Sequence, residues 1–196
     1  MLYLLGGAAR SGKSLIARRV MTAYQMPFFS LDYLSNGMAE VWPELQHDLD
    51  TDDATVGERI WPVVRSIATM ILRTNVHYLL EGVSLQPHHA HELVLAFPNQ
   101  VHACFVGFAN ADMTEKLQHV RQFGGQPDDW MTHWEDALVV QQLEYLKAVS
   151  QAIHTACHQR DLPYVETSRQ FERTVSAVVQ HIGREVWRLR AACEAS

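Results

Sequence analysis

Gly7-Ala8-Ala9-Arg10-Ser11-Gly12-Lys13-Ser14 is the stretch that decides the fold. It fits G-x-x-x-x-G-K-[ST], the phosphate-binding loop pattern. Tyr3-Leu4-Leu5-Gly6 before it reads as the end of a buried strand, and Lys13 to Tyr24 after it reads as a helix. Strand, glycine turn and helix are the context the pattern needs. In such a turn the backbone N–H groups of residues 7–14 point inward and form a nest for phosphate oxygens. The helix N-terminus adds partial positive charge. Gly7, Ala8, Ala9, Arg10, Ser11, Gly12, Lys13 and Ser14 are therefore the expected nucleotide-binding residues. Lys13 is placed to reach the β- and γ-phosphates, and the Ser14 hydroxyl to ligate Mg²⁺.

Working outward, the chain alternates strand-like and helix-like stretches. That alternation predicts an α/β fold with a parallel sheet and helices on both faces. Strands are expected at Leu2–Leu5, Pro27–Leu31, Val76–Leu80, Val101–Phe108 and Pro163–Val165. The second strand is expected to end at Asp32, and the third to be closed by Glu81-Gly82. Residues 35–50, polar and broken by Gly37 and Pro43, read as a loop with short helical pieces. Thr51-Asp52-Asp53 is a cap with an acidic first turn, opening a helix to about Thr74 that Pro62 would kink. Pro87–Ala96 and Asn110–Phe123 read as helices, the latter stopped by Gly124-Gly125. Asp128 or Asp129 would cap a long helix reaching His158 or Arg160. A last helix is expected from Thr167 or Ser168 to near Leu189. The strand that leads into the phosphate loop should be central, because ligands bind at the carboxyl ends of such sheets.

The bulk properties suit one domain: 196 residues, 47% hydrophobic. Sixteen basic and 22 acidic residues give a formal charge of −6, which carries no footprint for nucleic acid. No apolar run approaches a membrane span. Cys104, Cys157 and Cys193 are odd in number and scattered, which reads as reduced thiols in a cytoplasmic protein. The phosphate loop follows Met1 too closely to leave room for a signal peptide.

Strand-end carboxylates are the next candidates. Asp32, beside the loop strand, is placed to hold an acceptor hydroxyl or take its proton, and Tyr33 to pack on the acceptor. Glu81, after Tyr78-Leu79-Leu80, is placed to orient a Mg²⁺-bound water, to ligate the metal with Ser14, or to act as base. Arg121, one turn before Gly124-Gly125, is a candidate for neutralising charge in a transition state. Residues 121–134 would form a small lid hinged at those glycines and stiffened by Pro127. Trp130 and Trp134, one helical step apart, read as packing residues. His88, His89 and His91, and His154 and His158 beside Cys157, lack a full ligand set at familiar spacing and read as ordinary helix residues.

These residues resemble a family, the small P-loop kinases of metabolites and nucleosides. The loop with its Arg10-Ser11 is similar to that of adenosylcobinamide kinases. Phe29-Ser30-Leu31-Asp32 resembles the strand end where shikimate- and gluconate-kinase-like enzymes carry acceptor-binding aspartates. Tyr78-Leu79-Leu80-Glu81-Gly82-Val83 resembles the strand-Glu-Gly segment of uridine and 2-phosphoglycerate kinases. The resemblance implies the P-loop NTPase fold with strand order 2-3-1-4-5 over a single domain, and Mg-ATP as donor. It implies phosphoryl transfer to a small hydroxyl-bearing acceptor, whether metabolite, nucleoside or nucleotide. Two departures stand out. Glu81 occupies the usual Walker B aspartate position, and between Asn110 and Trp134 only Lys116 and Arg121 are basic, where the family's lid often holds several arginines. No asparagine is followed by lysine, against a guanine-specific switch, and Leu80-Glu81 lacks the D-E pair of motor ATPases. The remaining alternative is a regulatory or toxin-like P-loop ATPase with no small-molecule acceptor.

Overall fold

The computed structural model describes residues 1–42, 44, 52–74, 76–122 and 130–194, with side chains as far as residue 184. The described elements are, in chain order, β1 (Leu2–Gly7), α1 (Lys13–Tyr24), β2 (Phe28–Ser30), α2 (Leu31–Val41), α3 (Asp53–Arg73), β3 (Tyr78–Gly82), α4 (Pro87–Ala96), β4 (Val101–Gly107), α5 (Met113–Gln122), α6 (Asp136–His158), β5 (Tyr164–Glu166) and α7 (Phe171–Glu194).

The strands form one five-stranded parallel sheet in the order β2-β3-β1-β4-β5. This is the P-loop NTPase order 2-3-1-4-5. β1 is central, and all six of its residues are buried. Its side chains alternate between two cores, as a strand covered on both faces must. Leu2 and Leu4 join Leu80, Phe105 and the apolar faces of α3 and α4 (Ile60, Val64, Leu93). Tyr3 and Leu5 join Leu79, Val106, α1 (Ile16, Val20) and α7 (Val175, Val178, Ile182). A third core of Ala8, Phe108, Val120, Met131, Val139 and Leu143 underlies the phosphate loop and ties α5 to α6. Among the described residues no helix is long and apolar enough to cross a membrane.

Three local expectations are corrected. Residues 35–41 are not loop but the body of α2, which begins at Leu31, so Asp32 lies in a helical first turn rather than at a strand end. Leu31, Leu34, Ser35, Met38 and Ala39 form a stripe at helical spacing that faces the core. That burial outweighs the roughly 1 kcal/mol propensity penalty of Gly37, which is exposed and meets nothing. β3 is shifted two residues onward, so Glu81 and Gly82 are strand residues. α6 begins at Asp136 instead of 128 or 129. Within Thr51-Asp52-Asp53 the cap of α3 is Asp52, as that stretch led one to expect a cap there; its Oδ1 accepts from the Ala54 and Thr55 N–H groups at 2.9 and 2.8 Å. Thr51, Pro43, most of the stretch 43–50, the Gly124-Gly125 hinge, Pro127, Asp128 and Asp129 lie outside the described residues.

Candidate active site

β1 delivers the chain to a turn over residues 8–12, and α1 starts at Lys13. Two backbone positions make that turn specific. Gly7 has φ 136°, and a Cβ there would run into the Val106 carbonyl, so only glycine lets β1 end against β4. Gly12, the N-cap of α1, has φ 98°, and its carbonyl accepts the first helical bond, from Ile16 N–H at 3.0 Å. Arg10 sits at φ 63° between them. It is held there by Lys116 of α5, whose Nζ donates to the Arg10 carbonyl at 2.9 Å. Lys116 lies 4.1 Å from the centre of the Phe108 ring, and burial pushes its ammonium down to about 8, with Arg10 adding to the effect. The Arg10 guanidinium lies 5.7 Å from the Trp130 ring centre, which in turn meets Trp134 edge-on at 5.1 Å.

The chemically active side chains converge next to this turn. Lys13 is 5% exposed, and its Nζ donates to the Ala8 carbonyl at 2.8 Å. Burial lowers its pKa; Asp32, Glu81 and Asp53 oppose that shift, in that order. Ser14 donates to Glu81 Oε1 at 3.4 Å. In the sheet register Glu81 stands level with Leu5 of β1 and Ser30 of β2. Burial raises its carboxyl pKa, Lys13 offsets part of that, and Asp32 adds to it. Its second oxygen, Oε2, is buried with no hydrogen-bond partner among the described residues. Asp32 Oδ1 accepts from the Val83 N–H at 3.1 Å, which fixes the carboxylate beside the end of β3.

Lys13, Ser14, Asp32, Glu81, Asp53 and Trp130 all line one cavity of about 650 Å³. That volume suits a bound small molecule. Tyr33 also lines it, 74% exposed. Asp53 was read from sequence only as a first-turn helix acid. It opens α3 and faces the cavity; burial raises its pKa and Lys13 lowers it in part. Arg121 does not line the cavity. Its guanidinium donates to Asp136 and to the carbonyls of Met131, Thr132 and Trp134, so it clamps the turn before α6.

The donor set fits magnesium. A serine hydroxyl and a buried carboxylate with an orphaned oxygen are hard oxygen ligands, the kind Mg²⁺ takes. The histidines behave differently. Glu58, His88 and His89 come together, with His88 Nε2 2.7 Å and His89 Nε2 3.4 Å from Glu58 Oε1. His89 Nδ1 accepts the Gln86 N–H that caps α4. In its neutral form that ring therefore carries its proton on Nε2, facing Glu58, and offers no lone pair there. Trp61 stacks on it at 4.3 Å.

The sequence matches no protein-family model and no curated protein. Solved structures match across nearly the whole chain. A shikimate kinase from Bacteroides thetaiotaomicron has 13% identity and a TM-score of 0.53, covering 99% of this chain and 98% of that one. A gluconokinase from Sinorhizobium meliloti 1021 has 15% identity and a TM-score of 0.53, covering 98% and 94%. The chain has the P-loop NTPase fold. A protein from Chloroflexus aurantiacus j-10-fl, at 16% identity and a TM-score of 0.56, covers 94% of this chain and 97% of its own. At these identities the likeness is one of fold, and activity has to be argued from the site.

Proposed function

We propose that this chain is a small-molecule kinase, a cytoplasmic single-domain enzyme that transfers the γ-phosphoryl group of Mg-ATP to a hydroxyl of a small acceptor. The observation that carries the reading is the convergence of Lys13, Ser14, Glu81 and Asp32 on one cavity at the carboxyl ends of β1, β2 and β3. A nucleotide-binding scaffold without an acceptor has no use for a carboxylate pinned opposite the phosphate loop. The kinases among its structural neighbours act on small molecules by name, which supports the same class here.

Each residue then has a task. The backbone of residues 7–14 cradles the phosphates. Lys13 exchanges the Ala8 carbonyl for phosphate oxygens. Ser14 and Glu81 hold Mg²⁺, whose charge, when bound, neutralises the oxygens of the transferring group. Asp32 orients the acceptor hydroxyl and takes its proton as the new O–P bond forms and the bond to ADP breaks. Arg121 keeps the 131–136 turn in place, so that Trp130 stays over Arg10 and residues 121–134 can act as a lid. Catalysis of this kind rests on positioning and charge.

The test is ATP consumption over a panel of hydroxylated metabolites. Basal hydrolysis is expected to be slow and to rise sharply with a suitable acceptor. Asp32→Asn should remove about 10²–10⁴ of that stimulated rate while ATP affinity holds. Rapid acceptor-independent hydrolysis, or full stimulation in Asp32→Asn, overturns the assignment.

A further inference from the structure

The stretch of chain that supplies Asp32 and Asp53 has an unusual charge composition. Between Arg19 and Arg59 the sequence contains no lysine or arginine, yet it carries eight carboxylates: Asp32, Glu40, Glu44, Asp48, Asp50, Asp52, Asp53 and Glu58. This stretch supplies β2, α2 and the first turn of α3, and from it Asp32 and Asp53 face the cavity. The cavity's other charged walls are Arg10, Lys13, Arg18 and Glu81. On the reading above, Lys13 turns to the phosphates, Arg10 lies under the Trp130 ring and Glu81 turns to the metal. What remains for the acceptor is Asp32 and Asp53 against Arg18, exposed on α1 four residues beyond Ser14. One negative charge is left over.

A second observation points to a ligand at the same place. Ser84 lines the cavity, is 2% exposed, and its hydroxyl is buried with no hydrogen-bond partner among the described residues. A buried hydroxyl without a partner is costly unless something fills the gap. Its position is not accidental. α3 lies so close to the Ser84 main chain that a Cβ on Gly57 would collide with the Ser84 carbonyl. One turn before Gly57 the same packing sets Asp53 over the cavity.

We propose that the acceptor is a small polyhydroxylated molecule carrying a protonated amine, with its ammonium held between Asp32 and Asp53 and a neighbouring hydroxyl on Ser84. This deepens the kinase reading and rests on it. An acceptor bearing a carboxylate or phosphate would bring a second negative charge to a wall already negative. A neutral polyol would leave one of the two carboxylates without a cation, and charged hydrogen bonds of this kind are about twice as strong as neutral ones. The surplus of one charge is what one ammonium balances.

The experiment uses the full chain saturated with Mg-ADP and three matched ligands, glucosamine, glucose and glucuronate, together with the 2-deoxystreptamine and myo-inositol pair. Affinity is read by calorimetry, and phosphoryl transfer is assayed separately with Mg-ATP. The amines are expected to bind about tenfold or more tighter than their neutral partners, a preference that shrinks with salt. Asp53→Asn should bring amine and neutral partner to within about twofold, and Asp53→Glu should restore part of the gap. Mg-ADP affinity and melting temperature, measured on each variant, show that the donor site and fold are intact. Ser84→Ala should weaken amine and neutral members alike. Equal affinity across charge, no binding by any member, or tighter binding of glucuronate that is lost in Arg18→Ala overturns the inference. Amine-selective binding without transfer from ATP to any acceptor leaves the ammonium site standing and removes the kinase reading instead.

Discussion

Gly82→Ala is the sharpest single perturbation of the proposed acceptor side. Gly82 ends β3, directly beneath the start of α2. A methyl group added there would lie 2.8 Å from Leu31 Cβ and 3.2 Å from Asp32 Oδ1. Carbon atoms rest at roughly 3.5–4.0 Å, so Leu31 must retreat by about 1 Å. It is 1% exposed in a buried apolar cluster, and such cores hold few voids to move into. Overpacking of this kind costs about 1–3 kcal/mol. For a chain of this length that is a fall in melting temperature of roughly 2–12 °C. Asp32 follows Leu31 in the same helical turn, and its bond to the Val83 N–H spans the same junction. The carboxylate therefore moves with the backbone. A displacement of about 1 Å at a reacting group is worth on the order of 10²-fold in rate. The phosphate loop lies on the other side of β3 from this junction, so nucleotide affinity should hold. The assay is thermal melting by circular dichroism, Mg-ADP affinity by calorimetry, and acceptor-stimulated turnover. A melting temperature within about 1 °C of wild type together with full turnover would refute the claim that strand and helix are locked at this point.

Three further outcomes are expected. Lys13→Ala should lower nucleotide affinity or turnover strongly and leave the fold intact; unchanged binding and turnover, by calorimetry and steady-state assay, would remove the phosphate-loop assignment. Glu81→Gln should abolish metal-dependent turnover yet stabilise the ligand-free protein by about 0.5–2 kcal/mol at pH 7. Burial raises the Glu81 carboxyl above its ordinary 4.5, so its ionised form is disfavoured only in the folded state. That penalty is absent below about pH 4.5 and complete once pH has passed the folded value. The gain in melting temperature should therefore grow from pH 4.5 to pH 7.5, and a gain that does not change with pH would contradict it. Lys116→Met should weaken nucleotide binding by freeing the Arg10 carbonyl. Because the Lys116 ammonium is pushed down to about 8, wild-type affinity should decline as pH rises through 8 while the variant stays flat, as read by a titration at each pH.

The sequence was most legible where backbone chemistry is local. Residues 7–14 need glycine at positions whose φ is positive or whose Cβ has no room, so the motif and its flanking strand and helix could be read directly. The strand order and the Ser14–Glu81 pairing followed from the family resemblance together with strand-end position. Asp32 was picked out as a site residue, but its helical setting was not. Gly37 and the polar residues around it outweighed, on paper, a stripe that only tertiary packing reveals. Asp53 was visible as a helix-start acid, and nothing local distinguishes a first-turn carboxylate in solvent from one aimed into a cavity 21 residues away from Asp32. The signal that existed was nonlocal, the absence of any basic residue between Arg19 and Arg59. Arg121 shows the opposite failure. Its place one turn before the glycines suggested a cation that neutralises charge in a transition state, whereas the carbonyls that occupy its guanidinium come from residues 131–134 and could not be anticipated.

The place of β1 bears on how the molecule breathes. The strand is hydrogen-bonded along both edges, to β3 through Gly6 and to β4 through Gly7, and every residue in it is buried. Its amides can meet solvent only when the whole sheet opens, so they should exchange at the rate of global unfolding. The floor of the phosphate loop should thus be among the slowest-exchanging of the described residues. A nucleotide bound there stabilises every strand at once, by an amount that grows as RT ln(1 + [L]/Kd). Deuterium uptake in β5, far along the sheet, should report occupancy of a site it never touches.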